Sequence, residues 1–139
     1  MAKNEQPVFT RAPIVGMGTV SVANANRDGT GTIVSIVDGG TDGIRIDQIE
    51  IKAIVTTTAG MIRLFISEDA GVTWELWREV EVTAVTPTAS VQAFSARVDL
   101  TTALNDVPLM LPGTSHVLGA ATNNAEEMNI FARGGSFAA

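Results

Sequence analysis

One histidine, no cysteine and no tyrosine leave this 139-residue chain few routes to covalent chemistry. A nucleophile needs a base within hydrogen-bond reach and a third group to orient that base. The only imidazole, His116, precedes Val117-Leu118 at a predicted strand start, where a strand-end surface role is the ordinary one. Glu75, Glu79 and Glu81 alternate along another predicted strand. A carboxylate row of that kind could serve glycoside hydrolysis, yet the same spacing is how a strand displays solvated charge. Gly16-Met17-Gly18 is too short for a dinucleotide fingerprint, and no helical pattern follows it. Asp38 and Asp42 flank Gly39-Gly40 and raise the idea of calcium, but the EF-hand spacing is missing. The reading is therefore of a non-enzyme, with no catalytic, cofactor-binding or metal residue assigned.

The most specific local pattern is Ser67-Glu68-Asp69-Ala70-Gly71-Val72-Thr73-Trp74. It fits S-x-D-x-G-x-T-W and resembles the Asp-box hairpin of sialidases. Ser67 and Asp69 can bond the amides of a tight loop, and Gly71 supplies torsions that a Cβ resists. Trp74 can then fold over the turn and cover it. In sialidases the motif recurs and lies away from the catalytic centre; here it occurs once, and the tyrosine nucleophile is missing. Ser67, Asp69, Gly71 and Trp74 are thus expected to build a hairpin rather than a binding site. Trp77 lies on the opposite strand face from Trp74, so one of the two is expected on an outer surface, where aromatics anchor interfaces. Burial of both in a strongly curved sandwich is the alternative.

Size and charge bound the rest. At 139 residues the chain suits one domain and buries about two-thirds of its unfolded surface, enough for a core without staples. Absence of cysteine suits folding in a reducing compartment. The start, Met-Ala-Lys-Asn-Glu-Gln, lacks a secretory pattern, and no run is long and apolar enough to predict a membrane span. A formal net charge of −6, with scattered basic residues, argues against nucleic acid.

Residues 1–13 read as an extended N-terminal arm stiffened by Pro7 and Pro13, with Val8 and Phe9 as apolar contacts for a neighbouring subunit or another partner surface; a frayed terminus is the alternative. The domain is expected over 14–139. Val20 and Val22 alternate with Thr19, Ser21 and Ala23, then 24–29 turns; Thr32–Val37 is β-branched apart from Ser35; Asp38–Gly43 turns again. Ile44, Ile46, Ile49 and Ile51 keep one face only if a β-bulge at Asp47-Gln48 restores register. Ile62, Leu64 and Ile66 share a face, with Met61, Arg63 and Phe65 on the other. Trp74–Val82 follows the hairpin, and Phe94, Ala96, Val98 and Leu100 alternate cleanly. Thr101–Asp106 could form one helical turn. Leu109 and Leu111, between Pro108 and Pro112, suit an edge strand. His116–Thr122 and Met128–Arg133 close the series. About eight short strands without helical periodicity predict an all-β, antiparallel β-sandwich with jelly-roll character.

Several stretches resemble a small virion structural protein of tailed bacteriophages. They are Thr19–Asn24, the Arg27-Asp28-Gly29-Thr30-Gly31-Thr32 turn, Gly43–Asp47, Thr57–Ile66, Glu79–Val82 and Gly134–Phe137, within residues 18–137. The resemblance implies a β-sandwich subunit in the virion, made in the host cytoplasm, that decorates and stabilises the capsid. It implies a homo-oligomer, with a trimer favoured, and the major capsid protein or another virion protein as partner. A tail, baseplate or fibre component is the alternative. A carbohydrate-binding β-sandwich module, using Trp77 and the loop asparagines, is a further one.

Overall fold

Period-two alternation becomes strand along the chain, and no helix forms among the described residues. The computed structural model describes residues 10–101 and 107–138. In chain order the strands are β1 (Ala12–Val20), β2 (Val34–Asp38), β3 (Ile44–Ala53), β4 (Gly60–Ser67) and β5 (Glu75–Val82). They continue with β6 (Ser95–Asp99), β7 (Leu109–Leu111), β8 (Val117–Thr122) and β9 (Met128–Ser136). One sheet has the order β1-β9-β3-β6, with β7 also paired to β3; the other has the order β2-β8-β4-β5.

Every strand pairing is antiparallel. With the three-residue β7 set aside, the first strand pairs with the last, the second with the next to last, β3 with β6 and β4 with β5. That nesting is a long hairpin rolled up, closed by the β9–β3 and β8–β4 pairings. It is a jelly roll, an arrangement found in viral capsid, lectin and cupin domains alike.

The core lies between the sheets. From one side come Ile44, Ile46, Ile49 and Ile51 of β3 with Met128, Ile130 and Ala132 of β9. From the other come Ile36, Ile62, Leu64, Leu118 and Ala120, with Val20, Phe94, Leu100 and Leu111 filling the ends. The bulge at Asp47 is present, as a register shift between Ile46 and Gln48, and it keeps all four β3 isoleucines inward. A second bulge escapes the sequence pattern. Arg78 pairs with Leu64 and Leu76 with Phe65, leaving Trp77 as the extra residue of β5.

Several boundaries differ from the sequence pattern. β1 starts at Ala12, so Ala12 and Pro13 of the expected arm are paired with Ser136 and Gly135, and the Arg11 amide donates to Ser136 O at 2.7 Å. Pro13 lies on an edge strand, where its missing donor disrupts no central ladder. β1 stops at Val20, and Val22 is exposed rather than part of an alternating strand. β2 begins at Val34, and β9 runs on to Ser136 because the closing glycines let it pass close to β3. The helical turn expected at 101–106 falls almost wholly outside the described residues.

Candidate functional site

The hairpin between β4 and β5 is closed by side chains, as its residue types demand. Ser67 Oγ donates to Asp69 Oδ1 at 2.8 Å and accepts the amides of Asp69 at 3.3 Å and Gly71 at 2.8 Å. Asp69 accepts the Thr73 amide at 2.8 Å and the Thr73 hydroxyl at 2.6 Å. These donors, the Thr73 hydroxyl foremost, hold the Asp69 carboxyl down at about 2. Gly71 has φ 89°, as the motif requires, and Ala70 precedes it at φ 60°. A left-handed alanine costs about 1–2 kcal/mol. Its amide is held by Ser115 O at 2.8 Å, which ties the hairpin to the turn before β8. Ser67, Asp69, Gly71 and Trp74 therefore meet in one hairpin.

Trp74 reaches beyond its turn. Its ring lies on Gly119 of β8, where a Cβ would stand only 2.5 Å from the indole. Ile33 crowds the same Cβ position. Beneath them on the outer face of the four-stranded sheet, Phe65 is fully buried and Ala121 nearly so. A second apolar layer thus lies on the far side of this sheet from the main core.

The cover is the β1–β2 connection, residues 21–33, which crosses that outer face as a strap. Ala23 bridges Thr122, and the Asn24 amide donates to Thr122 O at 2.8 Å. Asn24 Nδ2 donates to Thr30 O at 2.9 Å and Thr32 O at 3.0 Å, while its Oδ1 accepts the Asn26 amide at 3.0 Å. One buried asparagine therefore folds the strap on itself. Arg63 lies under it, 3% exposed, with Nη1 donating to Asn24 O at 3.3 Å and Asn123 Oδ1 at 3.2 Å. Arg27 of the strap makes a two-pronged pair with Glu79, at 2.7 and 3.0 Å, and Glu79 is also 3.9 Å from Arg63 Nε. The Arg27 hydrogen bond, more than any other contact, holds the Glu79 carboxyl below its ordinary value.

Among the described residues nothing covers most of the other sheet's outer face. Across β1, β9, β3 and β6 the register places Val15–Arg133–Gln48–Asp99, Met17–Phe131–Glu50–Arg97 and Thr19–Asn129–Lys52–Ser95 in three rows. Val15 is 55% exposed and Met17 66%. Glu50 sits between two guanidinium groups, 3.1 Å from Arg133 and 3.8 Å from Arg97. Arg45 and Asp47 pair at 2.6 Å on the same side.

The sequence candidates divide as follows. Val8 and Phe9 lie outside the described residues. Trp77 is not the exposed anchor expected: it is half-buried and packs against the main core, with the Arg78 guanidinium 5.0 Å from its ring centroid. Trp74 is half-buried as well, so neither tryptophan is fully exposed and neither is buried. The bulge is the reason, since it swings Trp77 toward the interior instead of leaving it on an outer row. His116 meets its neighbour, with Nδ1 3.3 Å from Ser115 Oγ. Asp38 accepts the Gly40 amide at 2.8 Å within its own turn. Among the described residues no three His, Cys, Asp or Glu side chains converge on a point. Sequence reasoning missed Asn24, Arg63 and the Val15–Met17 strip. Only the apolar odd-numbered positions of β1 could have signalled the last of these.

No protein-family model matches the chain, and comparison with curated proteins finds no match.

Proposed function

We propose that the protein is a non-enzymatic virion structural subunit that decorates and stabilises a tailed-phage capsid. One observation carries the reading: a jelly roll with one outer face closed by its own chain and the other, among the described residues, left bare and partly apolar. A rigid sandwich with one open face suits a subunit that spends its surface on contacts with copies and neighbours. The stretches resembling small phage virion proteins supply the location; the fold alone does not, because jelly rolls host unrelated functions. In this reading the protein forms a homo-oligomer, a trimer by preference, on the major capsid protein or another virion protein. A place in the tail, baseplate or fibre is the second form of the same reading. A carbohydrate-binding module is less well supported, because its best aromatic platform, Trp77, is turned into the core and capped by Arg78.

Electron cryomicroscopy of the purified particle tests the proposal. The expected map shows the sandwich in symmetric copies on the outer capsid surface. Density confined to the tail would move the subunit there, and absence of the chain from purified particles by mass spectrometry would contradict the virion reading altogether.

A further inference from the structure

We infer that the strap at 21–33 is a releasable cover, held shut by the Glu79 carboxylate against the Arg63 guanidinium beneath it, and that acid frees it from an otherwise folded sandwich. The inference concerns this chain alone and holds wherever the subunit resides.

An arginine does not shed its proton, so a buried guanidinium stays charged and depends on an anion beside it. Arg63 is buried, with Nη1 satisfied by Asn24 O and Asn123 Oδ1. Its Nε is buried too and makes no hydrogen bond among the described residues. The carboxylate facing it belongs to Glu79, which pairs with Arg63 in the β4–β5 register and brings Oε2 to 3.9 Å from Nε. Glu79 also takes both prongs of Arg27 from the strap. One carboxylate therefore compensates the cation under the strap and ties down the strap above it.

The strap can lift without unpairing a strand. β1 ends at Val20 and β2 begins at Val34, and each is held by its own partner, β9 and β8. What fastens the strap to the sheet is local: the Ala23–Thr122 bridge, the Asn24 bonds to Thr122 and Arg63, and the Arg27–Glu79 pair. Gly29, at φ 85°, seats the turn against the Trp74 carbonyl, where a Cβ would stand 2.1 Å away. Neutralising Glu79 acts twice in one direction. The ion pair to Arg27 is lost, and Arg63 becomes an uncompensated cation that gains hydration only when the strap lifts.

The charged groups around Glu79 come from three elements. The strap brings Arg27 and Asp28, the latter turned to Thr30; β4 brings Arg63; β5 itself carries Glu81, opposite Met61. The turn after β8 brings the neutral Asn123. The Arg27 hydrogen bond first, with Arg63 adding to it, holds Glu79 below its ordinary 4.5. Its contribution is thus present above pH 4.5 and lost as pH falls through the lowered value.

Hydrogen–deuterium exchange of the full chain, with protection factors corrected for pH, tests this. At neutral pH Glu79→Gln is expected to lower protection of residues 21–33 about tenfold or more, with β3 and β9 unchanged. Arg27→Gln should loosen the strap less, since Glu79 still faces Arg63. Adding Arg63→Gln to Glu79→Gln removes the cation, keeps a donor for the Asn24 carbonyl, and is expected to restore most of the protection. Wild type acidified below pH 4.5 should reproduce the Glu79→Gln pattern. Unchanged strap exchange in Glu79→Gln overturns the inference. Equal loss in the double variant overturns it too, because the buried charge would then play no part. Strap and core losing protection together, in acid and in Glu79→Gln alike, would also overturn it, since the strap would then have no release of its own.

Discussion

The outer positions of the four-stranded sheet carry Arg63, Phe65, Gly119 and Ala121, and each is shut off from solvent. The corresponding positions of the five-stranded sheet carry Met17, Phe131, Glu50 and Arg97, and all are open or half-open. The residue types do not differ enough to explain this. A phenylalanine and an arginine occur on both faces. What differs is whether the chain returns to cover them. The strap at 21–33 turns the first face into a second core, in which burying Phe65 contributes about 1.5–3 kcal/mol. Nothing comparable crosses the second face among the described residues. An outer sheet face in a sandwich is therefore core or contact surface according to its connections, not only its composition.

Breaking the closed face should give the largest effect. Phe65→Ala removes a fully buried ring and is expected to cost about 3–5 kcal/mol, measured by denaturant unfolding. Asn24→Ala leaves the carbonyls of Thr30 and Thr32 without their donor and frees the Asn26 amide. Loss of about 1–3 kcal/mol is expected, with faster hydrogen exchange confined to the strap. An unaltered exchange pattern would mean that the strap is held by something other than this asparagine.

Asp69→Ala should lower the melting temperature less than either, while leaving assembly intact. Its pH dependence sharpens the point. The folded-state value of about 2 lies below the ordinary 3.8, so the Asp69 contribution is present above pH 3.8 and is lost as pH falls through about 2. Wild type should therefore lose stability over that window more steeply than the alanine variant; parallel curves would show that the hairpin bonds do not stabilise the fold. Met17→Glu should have the smallest effect on folding, within about 0.5 kcal/mol once compared as monomers, because the side chain is 66% exposed.

The strands were legible because alternation needs only local sequence. The bulge at Asp47 could be read because four isoleucines must share a face and the count is off by one. The bulge at Trp77 could not, since Trp, Arg and Leu there give no parity signal without the partner strand. The side-chain bonds that close the Asp-box hairpin were legible, as each spans at most four residues, whereas its ties to Ser115 and Gly119 were not. The strap was not. Asn24 reads as an ordinary turn residue, and its link to Arg63 spans 39 positions. The burial of Arg63 and Phe65 was hidden as well, because alternation reports a face and not what later covers it. The same limit hid the contrast between the two sheets.

Methionine oxidation tests that contrast most directly. Met17 lies on the open face and Met128 in the core. Dilute peroxide, read by peptide mass spectrometry, should modify Met17 rapidly and Met128 slowly in the folded protein. Equal oxidation of Met17 and Met128 would contradict the contrast between an open outer face and a closed interior.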